Sequence, residues 1–132
     1  MKRLILLFAT LSLTLGCATF HGPKLEDLTK TAESFHKDLL FERYSIAAKN
    51  ITPALRSEYL QNITSQQLHF AEIEILSMDT CQPNKKDCVY VFTTIQWYVG
   101  YSPNVGTSSV TEKWKYNEES GLWFLVEQER TK

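Results

Sequence analysis

Cys88-Val89-Tyr90-Val91-Phe92-Thr93-Thr94-Ile95-Gln96-Trp97-Tyr98-Val99 alternates without a break. Val89, Val91, Thr93, Ile95, Trp97 and Val99 share one face, and Tyr90, Phe92, Thr94, Gln96 and Tyr98 share the other. A period of two with β-branched and aromatic residues on both faces is a strand at least partly covered on both sides. Outward from it the same period recurs. Leu68 to Met78 sets His69, Ala71, Ile73 and Ile75 against Glu72 and Glu74, and this parity points His69 toward whatever packs on the sheet. Thr107 to Tyr116 sets Val110, Trp114 and Tyr116 against Thr111, Lys113 and Lys115. Asn117 to Gly121 is a turn, and Leu122 to Gln128 is the last strand. Four strands joined by short connections form an antiparallel meander.

Upstream the period is helical. Leu25, Leu28, Ala32, Phe35 and Leu39 are spaced by alternating threes and fours, and Ile46 continues them a heptad later. A second set, Leu40, Phe41, Tyr44, Ala47 and Ala48, widens the apolar face, which predicts one long amphipathic helix. Glu26 and Asp27 complement its positive end, and Pro23 suits its first turn. His36 and Asp38 read as part of its solvated face. Pro53 disfavours helical geometry in the residue before it, so the helix stops there. Thr52 can then cap, and Pro53 open, a short helix to about Asn62 with Leu55 and Tyr59 inward. The plan is α+β: a long N-terminal helix plus a short helix packed on a curved four-stranded antiparallel sheet, spanning residues 25–132.

The N-terminus has a different character. Met1, Lys2 and Arg3 precede an apolar run from Leu4 to Leu15, then Gly16 and Cys17. At about 1.5 Å per residue the run is too short for a hydrocarbon core of roughly 30 Å, so it reads as an export signal over residues 1–16. Its end on Gly16-Cys17 resembles the bacterial lipoprotein lipobox, with Thr14 where that pattern usually has Leu. Ordinary secretory cleavage near Cys17-Ala18-Thr19 is the alternative. The resemblance implies a diacylglycerol on the Cys17 thiol, cleavage before it and a permanent lipid anchor. It also implies a palmitate-type acyl chain and, with Ala18 following, the outer membrane facing the periplasm where the source has two membranes. Residues 17–24 are then the lipidated cysteine and a tether of at most roughly 25 Å, in which His21 reads as solvated.

Loss of Lys2 and Arg3 with the signal takes the formal net charge from −1 to −3. A chain with no basic face is not built for nucleic acid. Export also places Cys81 and Cys88 in an oxidising compartment, where with Cys17 lipidated they pair without a leftover. A disulfide across the base of the first hairpin contributes roughly 2.5 kcal/mol in the loop-entropy picture. A redox pair or thiolate metal site is the rival reading, but the six-residue spacer is not Cys-x-x-Cys and no histidine clusters nearby.

The helix pair carrying Tyr44, Ala48, Thr52-Pro53, Leu55-Arg56 and Tyr59, with the closing hairpin Trp114-Lys115-Tyr116 to Gly121-Leu122-Trp123-Phe124-Leu125, resembles the NTF2-like (cystatin-like) superfamily. Fuller members insert a small hairpin and a third helix before the main sheet, so this is a minimal version with less to close a cone-shaped pocket. Some relatives, ketosteroid isomerase and scytalone dehydratase among them, place acids, bases or oxyanion donors inside the cone. The resemblance makes His36, Asp38, Tyr44, Tyr59, His69 and Tyr98 the residues to weigh, with His69, Tyr44 and Tyr59 as candidate pocket residues. No reaction motif, zinc pattern or phosphate-cradling glycine loop is present, no cofactor is implied, and fold alone does not license function. The chain therefore reads as non-enzymatic: a membrane-anchored interaction or scaffold domain contacting an envelope protein or its own copy. Binding of a small hydrophobic or envelope-derived ligand in the cone is the alternative. Tyr98 and Tyr101, at the start of the Gly- and Pro-bearing loop between the second and third strands, are the candidate interaction residues.

Overall fold

The structure, a computed structural model, describes residues 22–131. The expected signal peptide, the lipidation site Cys17 and the tether histidine His21 lie outside the described residues. The elements run in the order α1 (Leu25–Leu40), α2 (Tyr44–Ala47), a 3₁₀ turn (Ala48–Asn50), α3 (Pro53–Ser65), β1 (Leu68–Gln82), β2 (Lys85–Val99), β3 (Gly106–Asn117) and β4 (Leu122–Thr131). The strands form one antiparallel meander in the order β1-β2-β3-β4. Helices packed on this sheet give the expected α+β architecture.

α1 buries Leu28, Ala32, Phe35 and Leu39 completely, and these meet Val89 and Val91 of β2, Trp114 of β3, and Trp123 and Leu125 of β4 in one core. Each such side chain contributes about 1.5–3 kcal/mol relative to exposure. Phe35 is the central piece. Its ring meets Trp114 edge-on at 5.6 Å and Tyr59 at 6.2 Å.

The expected single helix is broken. After Leu40 the chain enters the left-handed region at Glu42, φ +58°. The Arg43 N–H donates to the Asp38 carbonyl at 2.8 Å and the Glu42 N–H to the Leu39 carbonyl at 3.1 Å, the pair of bonds that closes a Schellman motif. Tyr44 and Ala47 after the break still join the core, which hid it from the periodicity, whereas Ile46 and Phe41, expected on the apolar face, are exposed. α3 is longer than expected, reaching Ser65. Thr52 precedes it without a side-chain cap, and Pro53 at the first position supplies the fixed φ. His36 and Asp38 are buried rather than solvated. His36 follows Ala32 by four residues and so shares its buried face, and Asp38 is held by Arg43 Nη2 at 2.7 Å.

Of the register shifts in the ladders, two bear on the sites described below. A bulge between Phe70 and Glu72 puts Leu68 and Phe70 on the core side together with Ile73 and Ile75, and turns His69 away from it. A second, opposite Lys113/Trp114, separates Leu125 from Glu127 on β4 and leaves Gln128 facing Glu112 and Arg130 facing Val110. The β1–β2 hairpin is tighter than expected, with Gln82 paired to Lys85 across Pro83-Asn84. Cys81 and Cys88 are joined beneath it by a disulfide, with Cα atoms 5.4 Å apart.

Candidate functional site

The start of β1, the end of β2 and the α1–α2 turn meet at one end of the molecule. His69 stacks on Tyr98, its neighbour across the β1–β2 ladder, with centroids 4.9 Å apart and planes 14° from parallel. Its Nδ1 lies 2.7 Å from Glu42 Oε1, so the αL residue that ends α1 also fixes the imidazole. The Tyr44 hydroxyl donates to the Leu68 carbonyl at 3.1 Å, and its ring meets Phe70 edge-on. Burial of the Tyr44 phenol, followed by the charges of Glu42 and of an ionised Tyr98, pushes its pKa up.

The β2–β3 loop closes this end. Gly100, at φ +55°, donates its N–H to the Gln67 carbonyl at 2.9 Å, and a Cβ there would come 3.0 Å from Gln67 Oε1. Tyr101 is thereby held out from the surface, fully exposed. Tyr44, Ile63, Thr64, Gln67, Leu68, His69, Gly100 and Tyr101 line a cleft of about 370 Å³. Tyr44, His69 and Tyr101, named separately from sequence, therefore line one site, with Tyr98 stacked behind His69. Val99 and Val105 of the adjoining strand and loop are also exposed.

Tyr59 belongs elsewhere. It lies against Phe35 under α3, where burial and then the nearby Glu112 carboxylate push its pKa far up. Glu112 is the residue that sequence reasoning missed. It falls on the same face as Val110 and Trp114 and is fully buried. His36 Nε2 reaches its two oxygens at 3.0 and 3.1 Å, Trp114 Nε1 donates at 3.1 Å, and the Gln128 amide donates at 3.3 Å. The one available signal was a Glu on an otherwise apolar parity, between Val110 and Trp114. These groups fill the interior between α1 and the sheet, where a cone-shaped pocket would otherwise lie.

Among the described residues no group of His, Cys, Asp and Glu is arranged to hold a metal ion, and no helix is long and apolar enough to cross a membrane. No family model and no curated protein matches the chain. Among solved structures it is similar to the VirB8 protein of Agrobacterium tumefaciens, at 14 % identity and TM-score 0.55, covering 84 % of this chain and 98 % of that one. It is also similar to the intermembrane space region of the chloroplast protein ARC6, at 12 % identity and TM-score 0.52, covering 82 % and 98 %. At these identities the likeness is one of fold. The described residues thus share the α+β fold of these two structures.

Proposed function

We propose that this chain is a lipid-anchored domain of the bacterial envelope that binds another protein through the Tyr44–His69–Tyr98–Tyr101 end. The observation that carries the reading is the aromatic cleft itself. A fully exposed tyrosine stands beside a pre-stacked His–Tyr pair, on a loop pinned by a glycine held at positive φ through its bond to Gln67. Aromatic anchors on a rigid support are the features that protein interfaces favour. The architecture, similar to that of the intermembrane space region of ARC6, suits such a module.

The direction of α1 supports the anchored arrangement. Thr29 near its start touches Met78 near the end of β1, and Glu42 beyond its end touches His69 at the beginning. α1 therefore runs antiparallel to β1, with its N-terminus at the disulfide end. A lipid on Cys17, in the outer membrane facing the periplasm, would hold that end near the bilayer and present the cleft about 24 Å further out, the length of α1. The partner is an envelope protein or a second copy of the chain.

Crosslinking and pull-down from cells test this, with the wild-type chain beside the Tyr98→Ser/Tyr101→Ser variant. A specific partner lost in the variant is expected. The same partner recovered equally from both would remove the site. Mass analysis of the N-terminal peptide tests the anchor independently, since an unmodified Cys17 would refute lipidation without touching the cleft.

A further inference from the structure

The geometry points to a second binding site, for a compact apolar anion such as a short-chain or aromatic carboxylate, between α3 and the inner face of the sheet, with Arg130 as its counter-ion. It goes beyond the interaction surface and stands whether or not Tyr101 contacts a partner.

α3 covers the sheet incompletely. Of its residues only Ile63 is fully buried, and Tyr59 and Leu55 pack only in part. The space left between α3, β1 and β4 is a cleft of about 220 Å³. Leu68, Phe70, Ile95 and Val110 make its apolar wall, while Asn62 and Gln66 from α3 and its end, and Gln128 and Arg130 from β4, complete the lining. An apolar pocket with a few convergent polar groups is the form small-ligand sites take, and this one is below the 300–1,000 Å³ usual for drug-sized ligands. A single ring or a short acyl chain is the fitting size.

Arg130 supplies the sign of the charge. No carboxylate pairs with it among the described residues. Instead its guanidinium lies over the Trp97 ring, 5.1 Å from the centroid. Trp97 is fixed in turn, donating Nε1–H to Ser108 Oγ at 2.9 Å and lying over Gly106, where a Cβ would come within 2.6 Å of the indole. The rotamer freedom an arginine loses on binding an anion is thus partly removed beforehand. The lining contains no acid, whereas Glu58 and Glu127 line the neighbouring cleft on the other side of Tyr59. The Glu112 carboxylate beneath is already engaged by His36, Trp114 and Gln128. An anionic head therefore has one favourable place, at Arg130, with its apolar part against Ile95 and Val110. The bulge of β4 creates the arrangement by bringing Gln128 and Arg130 to the inner face.

The test titrates the full chain with octanoate and, separately, with octanol, reading the indole Nε1–H resonance of Trp97 by NMR. Octanoate is expected to shift it saturably and to bind at least about tenfold more tightly than octanol, the ratio a charge-assisted hydrogen bond supplies. Arg130→Gln should reduce octanoate to the level of octanol, while Arg130→Lys should keep part of the difference. Arg130 is exposed, so an unchanged melting curve will show that the variants fold. Absence of saturable binding, equal affinity for acid and alcohol, or an acid-to-alcohol ratio unchanged in Arg130→Gln would each overturn the assignment.

Discussion

Replacing Glu112 by Ala removes the acceptor shared by His36, Trp114 and Gln128. Gln128 can turn to water from its position on the edge strand β4. His36 Nε2 and Trp114 Nε1 cannot, because both residues are buried. Each stranded donor costs about 1–3 kcal/mol, and breaking a buried pair by removing one partner costs about 3–5 kcal/mol in all. Against a total stability of about 5–15 kcal/mol this is a large fraction, and at about 4 °C per kcal/mol it lowers Tm by about 12–20 °C. Urea unfolding of the full chain, followed by tryptophan fluorescence, measures it. His36→Leu alone should cost less, about 1–3 kcal/mol, because Trp114 Nε1 and the Gln128 amide still donate to the carboxylate. The double variant His36→Leu/Glu112→Leu should cost less than the two single changes added, by at least about 1 kcal/mol, since the second change removes a contact already lost. Additive changes, or a Glu112→Ala variant within about 1 kcal/mol of wild type, would refute the buried pair as the keystone between α1 and β3.

Four further outcomes are expected. Tyr59 has a raised pKa in the folded state, so below about pH 10 its contribution is constant, and above that the unfolded chain ionises while the folded one does not. Stability should therefore fall by up to about 1.4 kcal/mol per pH unit from this group, and wild type should lose stability relative to Tyr59→Phe from pH 10 upward in alkaline urea melts. Glu42→Gly removes an αL penalty of about 1–2 kcal/mol and an exposed contact worth about 0.2–1 kcal/mol; thermal melts should show a net gain, with the His69 ring signals altered by NMR. Cys81→Ser/Cys88→Ser should cost about 2.5 kcal/mol, and thiol titration of the unreduced, unfolded wild type should find neither Cys81 nor Cys88 free. Gly106→Val drives a side chain into Trp97 and should cost about 1–3 kcal/mol, with loss of octanoate binding.

The meander, the helical stripe of Leu28, Ala32, Phe35 and Leu39, and the Cys81–Cys88 pairing were legible because each follows from a period or a count. What escaped lies where one residue changes the phase. The bulge before Glu72 inverts the facing of His69, and the bulge on β4 brings in Gln128 and Arg130, yet neither shift is marked by a glycine or proline. The break at Glu42 was hidden for a related reason: a glutamate occupies a conformation normally signalled by glycine. His36 looked solvated because its partner, Glu112, lies 76 residues away in sequence, and a buried charge is recognisable only with both halves in view. The aromatic end was foreseen in parts. Tyr98 and Tyr101 came from a loop argument and His69 from a parity argument that the bulge overturned, and only the folded chain brings them beside Tyr44.

A photoreactive amino acid placed at Tyr101, and in a separate strain at Asn84 on the opposite hairpin tip, tests the account most directly when both are irradiated in living cells. A discrete crosslinked species from position 101, absent from position 84 and diminished by Tyr98→Ser, is the expected result. Crosslinking from position 84 with none from position 101 would contradict it, because the partner would then approach the end that the account turns toward the membrane.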